Sequence, residues 1–245
     1  MIDLDVESLF LYFGDDYVIN DSIKLKQPTI GQVVDYGEAS YFSMVHTLTA
    51  IPSDVKSLLW DNPNGRIDWT EIEDFDLFIM LSQGMSPDKT GIIFGDLDFS
   101  NLRPYRHPHN DEIILADKEA GIVIDKLIYM RMMAFLRKLH NITPKPEKAK
   151  GKRAKQAMID EDRRNREYNN GKPFKSYLLP LISAVKVRQG YTKDYVRNMG
   201  LFEFFDDLSR LQIMYNSDHL MSGIYSGSID AKKISKEELN WLRES

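Results

Sequence analysis

His107 and His109 stand either side of Pro108, with Asp111 two residues further on. Two imidazoles and a carboxylate are zinc ligands by type. Their spacing is that of a proline-held loop rather than of two ligands one helical turn apart, so a polar surface loop is the preferred reading. Asp96-Leu97-Asp98-Phe99-Ser100 opens like a calcium loop. Its sixth position is Asn101 where a glycine is needed, and its twelfth is His107 where a bidentate glutamate is needed. It reads as a solvated acidic turn. No HExxH, GxSxG or Walker loop occurs, and no strand is followed by GxGxxG. Zero cysteines exclude thiol catalysis, disulfides and Cys-based zinc sites. The acid pairs Asp15-Asp16, Asp206-Asp207 and Glu237-Glu238 have no identified proton-transfer partner and read as turn or helix-face residues. The expectation is a protein that is not an enzyme, with no catalytic residue, cofactor or metal.

What chemistry remains is that of binding. Lys148, Lys150, Lys152, Arg153 and Lys155 form the one sharp electrostatic feature. They could meet phosphate oxygens with a salt-dependent affinity, or equally an acidic protein. The run lacks interleaved aromatics for base stacking, and Asp160-Glu161-Asp162 follows at once, so nucleic acid is disfavoured and a solvated linker is preferred. Met130, Met132 and Met133 cluster in YMRMMAF. Methionine fills irregular core gaps and also suits adaptable binding surfaces; core packing is the default. These eight residues are the candidate partner-binding set.

The elements that must position them follow from periodicity. The best-marked stretch is 22–50. Ile23 and Leu25 alternate as in a half-buried strand, Pro28 ends it, and Thr29 with Gln32 forms a capping box. One amphipathic helix is then predicted, with apolar residues at 33, 34, 41, 42, 45 and 48. Before it, 9–13 and 17–20 read as strands, joined by a turn at 14–16 and followed by another at Asn20-Asp21. Ser53 is a candidate N-cap for a helix over 54–60. A second strong helix is predicted over 67–85, entered through Asp68 and Glu71 and ended by Gly84. Residues 91–94 read as a strand, 101–111 as irregular, and 112–116 with 121–124 as a hairpin. Asp125 caps a helix over 126–140 that carries the methionines. After a charged stretch, helices are predicted over 177–187, 192–199 and 201–221, with Pro180 kinking the first or lying in its first turn. A closing helix enters through Ser235 and Glu238.

The fold class expected is α+β: a mixed N-terminal domain with small antiparallel strands and three main helices over 1–143, a basic charged linker or exposed helix over 144–172, and a small helical domain over 173–245. The last part is small for an independent core and should pack on something. With 42% apolar and 28% charged residues, the composition is that of an ordinary globular protein. No apolar run is long enough for a membrane span, and the acidic N-terminus lacks the basic region of a signal peptide, so a cytoplasmic life is expected. The net charge of −5 is uneven: 144–172 holds ten basic and five acidic residues, leaving the remainder strongly acidic.

Three stretches, IKLKQPTIGQVVDYGE, IDWTEIEDFDLFIML and GIYSGSIDAKKISKEELNWLRE, resemble proteins of tailed bacteriophages and prophages of Gram-positive bacteria. The first, with its strand, Pro-Thr-apolar-Gly joint and helix, is similar to the start of phage tail assembly chaperones. The resemblance covers roughly a third of the chain. It implies binding to the tape-measure protein and to tail-tube subunits in the host cytoplasm, and it names no catalytic residue. The chain departs from the family in being about twice the usual length. Self-association is left open, and no membrane is expected. The other readings are a structural virion protein (a tail, baseplate or connector subunit) and, third, a nucleic-acid-associated regulator.

Overall fold

The computed structural model describes residues 6–107 and 112–243. His109 and Asp111, two of the three residues of the zinc-type set, lie outside them. The chain begins with helix α1 (Ser8–Tyr12), then the hairpin of β1 (Tyr17–Asn20) and β2 (Ile23–Leu25). The five-residue apolar run at 9–13 was expected as a strand and is a helix, since a short apolar run carries no period that separates the two. Asn20 closes the hairpin by accepting hydrogen bonds from the Ser22 and Ile23 amides through its side-chain oxygen.

Thr29 and Gln32 make the expected capping box, with Thr29 Oγ1 accepting from the Gln32 amide and Gln32 Oε1 from the Thr29 amide. The helix behind it is two helices, α2 (Ile30–Tyr36) and α3 (Glu38–Thr49). Gly37 separates them at φ 98°, a conformation that costs glycine little and other residues much. After a 3-10 turn at Pro52–Asp54 come α4 (Lys56–Trp60), α5 (Asp74–Ser82) and α6 (Pro87–Phe94). Ser53 does not cap α4: Asp54 instead accepts from the Ile51 amide. The helix expected over 67–85 starts only at Asp74, because the Asp68 carboxylate turns back onto the Thr70 amide and hydroxyl. Residues 91–94, expected as a strand, belong to α6. Thr90, Ile93 and Phe94 are buried at helical spacing behind Pro87 in the first turn.

Strands β3 (Arg103–Arg106), β4 (Ile113–Asp117) and β5 (Ile122–Ile124) form an antiparallel sheet in that order. The β4–β5 hairpin was expected; β3 lies in the stretch read as irregular. Pro104 is tolerated because β3 is an edge strand. Helix α7 (Lys126–Leu139) starts at Asp125, whose side chain accepts from the Ile128 amide. Then follow α8 (Lys152–Asn169), α9 (Leu178–Gln189), α10 (Lys193–Asn198) and α11 (Leu201–Tyr225). Pro180 falls in the first turn of α9, where its missing amide proton costs nothing. Ser235 and Glu238 exchange the expected capping hydrogen bonds, yet only turns follow. Arg210 draws the Trp241 and Arg243 carbonyls outward instead.

The architecture is therefore α+β, with two small antiparallel sheets among the described residues and helices throughout. One apolar cluster gathers Leu25 and Val33 with Tyr41, Phe78, Phe135, Leu178, Val185, Leu201 and Phe204, so it draws on both ends of the chain. A second, smaller cluster holds Leu59, Trp69, Leu77 and Ile159.

The joint at 28–31 is where α10 and α11 seat. Ile30 donates its amide to the Met199 carbonyl (3.0 Å) and Leu201 donates to Pro28 (3.1 Å). Gly31 permits the approach: a Cβ there would lie 2.5 Å from Arg197 Cγ and 2.7 Å from the Arg197 carbonyl oxygen.

Candidate partner-binding site

The basic stretch and the methionine cluster come from different elements, and the fold brings members of both to the walls of two adjoining clefts. Asp74, at the first position of α5, lines both.

The first cleft, of about 640 Å³, lies between Pro52, Trp69 and the strap over 146–155. Lys148, Lys152 and Lys155 line it. Lys148, Lys150, Lys152 and Arg153 are exposed, with no ion pair among the described residues. Lys155 is committed: its ammonium donates to Asp68 and to the Thr70 hydroxyl. Burial works against the Asp68 carboxylate, but the Lys155 and Thr70 hydrogen bonds prevail and hold its pKa below the ordinary value.

Lys56 lies behind this wall, against Ser53, Trp69 and Glu147, and faces a neighbouring pocket with Met158, Glu161 and Asp162. It sits on α4 among apolar residues and is only 8% exposed. Its ammonium donates to the Ser53 carbonyl (2.6 Å) and to Glu147 Oε2 (2.7 Å), and lies 5.6 Å from the centre of the Trp69 ring. Beside it, the Trp69 indole N–H and the Ser53 hydroxyl are buried with no hydrogen-bond partner. Such groups are uncommon in folded proteins and each costs about 1–3 kcal/mol.

The second cleft, of about 550 Å³, is lined by Phe75, Tyr129, Met130, Met133 and Ala134 together with the charged Glu73, Asp74, Lys126 and Arg137. Met130 is exposed and Met133 is buried in the wall. Met132 is 0% exposed within the core, so packing is its role. The Tyr129 hydroxyl and Arg137 Nε are both buried without a well-formed hydrogen bond, and the Arg137 side chain lies close enough to the phenol to oppose its pKa rise. Burial, then the nearby Asp74 charge, pushes the Tyr129 phenol up to about 12. Burial likewise raises the Asp74 carboxyl, against the opposing pull of Arg137.

Helix α8 anchors the C-terminal end of the strap, from Lys152 onward. The stretch expected as a linker or exposed helix is an 18-residue helix, with Ile159 fully buried against the smaller cluster. Asp162 accepts from the Ser57 amide at the start of α4 (2.7 Å), and Arg163 pairs with Asp61 at its end. The Arg163 hydrogen bond holds the Asp61 carboxyl below its usual range. Part of the charge within 144–172 is thus spent inside the molecule, through Glu147, Lys155, Asp162 and Arg163, while Lys148, Lys150, Lys152 and Arg153 stay exposed, as do Lys145, Arg164 and Lys172.

Of the eight sequence-predicted residues, the fold places Lys148, Lys152, Lys155, Met130 and Met133 on the paired clefts. Lys150 and Arg153 lie on the exposed strap and helix start, and Met132 faces inward. Ser53, Lys56, Trp69, Asp74, Tyr129, Arg137 and Glu147 were missed. One signal was available: Lys56 interrupts the apolar run of Val55, Leu58 and Leu59. Among the described residues, no group of three or more His, Asp or Glu is placed to hold a metal ion. Asp98 accepts from the Ser100 amide and hydroxyl, as an acidic turn should.

A family model described as YomV second domain matches residues 170–245, from the end of α8 onward. The match points to a phage-derived, Bacillus-type YomV family for this segment and to a phage-associated protein, without specifying tail assembly chaperones. No curated protein and no solved structure matches the chain. No described helix is long and apolar enough to cross a membrane.

Proposed function

We propose that this is a non-enzymatic phage morphogenesis factor that binds protein partners during tail assembly, in the manner of a tail assembly chaperone. Its partners are the tape-measure protein and tail-tube subunits, met in the host cytoplasm. The observation that carries this reading is the pair of clefts meeting at Asp74, where a methionine-lined apolar wall continues into a basic strap. An apolar wall of adaptable methionines accepts helix faces of varied shape, and the exposed lysines supply charge attraction to an acidic partner. The phage-derived family match over 170–245 sets the biological context.

The test is co-expression with a tape-measure protein from the same phage or prophage. The expected outcome is a soluble complex that co-purifies, against an insoluble tape-measure protein expressed alone. A tape-measure protein that stays insoluble and unbound contradicts the proposal.

A second reading, a structural virion protein, is favoured by the exposed Val187, Tyr225, Trp241 and Leu242 on the matched segment, which offer further apolar surface. Mass spectrometry of purified particles separates the two: an assembly factor is absent from the mature virion and a structural subunit is present.

A further inference from the structure

Glu147 brings a carboxylate to Lys56 from a strap that is weakly held. Its side chain is 49% exposed, whereas that of Lys56 is 10% exposed. Residues 143–150 form no regular element and, among the described residues, make no backbone–backbone hydrogen bond. Pro144 and Pro146 have no amide proton to offer one. Under the strap lie the two buried, unpartnered polar groups of the cleft, the Trp69 indole N–H (residue 3% exposed) and the Ser53 hydroxyl (6%). The closed arrangement therefore satisfies the Lys56 charge and leaves two neighbouring hydrogen-bonding groups unsatisfied.

We propose that Lys56 is a carboxylate-exchange site: an Asp or Glu on an apolar segment of a partner protein replaces Glu147, and the strap swings aside. This rests on the partner-binding reading of the clefts and names the partner's chemistry. Leaving a buried ammonium without a counter-ion is costly, so an arriving carboxylate favours opening of the strap. Opening uncovers Trp69 Nε1 and Ser53 Oγ, which gain partners in the incoming segment. Lys148 and Lys152 at the mouth attract the acidic segment, and Met130 and Met133 across Asp74 receive its apolar side chains. A nucleic acid suits the site poorly. Trp69 is buried edge and face, so it offers no stacking platform for bases.

The probe is a fluorescein-labelled amphipathic peptide with leucines on one helical face and glutamates on the other, titrated into the full-length protein and followed by anisotropy. A sibling peptide carries lysine for glutamate, and a labelled single-stranded oligonucleotide is the third ligand. The glutamate peptide is expected to bind and the other two are not. Glu147→Gln removes the charge but keeps an amide oxygen that can accept from the Lys56 ammonium, which the Ser53 carbonyl also holds; with an unchanged circular dichroism spectrum as its control, it should tighten binding about fivefold by weakening the internal competitor and enlarging the competent population. Lys148→Glu with Lys152→Glu should weaken it about tenfold, with an unchanged circular dichroism spectrum. Unchanged or weaker binding by Glu147→Gln overturns the proposal, as does equal binding of the lysine sibling or preferential binding of the oligonucleotide. A wild-type protein that solubilises the tape-measure protein yet ignores the glutamate peptide overturns the exchange site alone. Failure to solubilise overturns the partner reading beneath it.

Discussion

Tyr41 and His140 show how far single side chains govern this molecule. Tyr41 is 0% exposed, and its hydroxyl lies 2.7 Å from His140 Nε2, while His140 Nδ1 lies 2.7 Å from the Leu136 carbonyl oxygen. A carbonyl can only accept, so Nδ1 carries the proton, Nε2 accepts, and the Tyr41 hydroxyl donates. Burial holds the imidazole neutral and lowers its pKa from 6.5 to about 4. Because the folded value lies below the unfolded one, the unfolded chain binds more protons between them, and stability falls as pH drops through that window. Urea unfolding should show a loss of about 3 kcal/mol between neutral pH and pH 4, much of it absent in a His140→Gln variant. Tyr41→Phe should cost about 1–3 kcal/mol by leaving Nε2 without its donor. Gly31 makes a sharper case, because a methyl group there meets the Arg197 backbone as well as its side chain. Gly31→Ala should lower the urea midpoint by the equivalent of about 1–3 kcal/mol. The capping box at Thr29 was legible from sequence because it needs only residues three apart. Gly31 was not, since its reason for being glycine lies 166 positions away in Arg197.

At the scale of elements, the polar face of α2 and α3 had no assignment from sequence, and the fold gives it one. Asp35 takes the Arg197 guanidinium through both carboxylate oxygens. Glu38 accepts from the Tyr177 and Leu178 amides and the Ser176 hydroxyl, satisfying amide donors at the start of α9 from a distant helix. Glu38→Ala should therefore destabilise by about 1–2 kcal/mol, whereas an acid on a solvated face would be neutral; thermal unfolding monitored at 222 nm distinguishes the two. Elements whose signals are local were read correctly: the β1–β2 turn, the β4–β5 hairpin, the Asp125 cap of α7 and the short helix over 192–199. Errors fell where a residue turns to a nonlocal or competing partner. Asp68 serves Thr70 and Lys155 rather than a helix start, and the apolar residues of α6 face a core that does not alternate. The candidate site was half legible. The lysines and methionines are visible as clusters, but Trp69, Lys56 and Glu147 meet only because α8 docks on α4.

For the whole molecule, the consequence is mutual dependence. The main apolar cluster takes Val33 and Phe135 from one part of the chain and Val185, Leu201 and Phe204 from the part that matches the YomV second domain. Unfolding should follow a single transition by fluorescence and circular dichroism alike, and a fragment ending at residue 172 should expose Ile30 and Val33 and aggregate. Shared packing also explains how the paired clefts are built from residues 51–75, 126–137 and 146–155 with none of them sufficient alone. The central claim is that a partner protein occupies the paired clefts at Asp74. Hydrogen exchange on the co-purified complex with the tape-measure protein tests it most directly. Added protection is expected in the segments around Trp69–Asp74 and α7, with faster exchange in the strap around Glu147 as it leaves Lys56. Protection confined to other surfaces, with these segments unchanged, would contradict it.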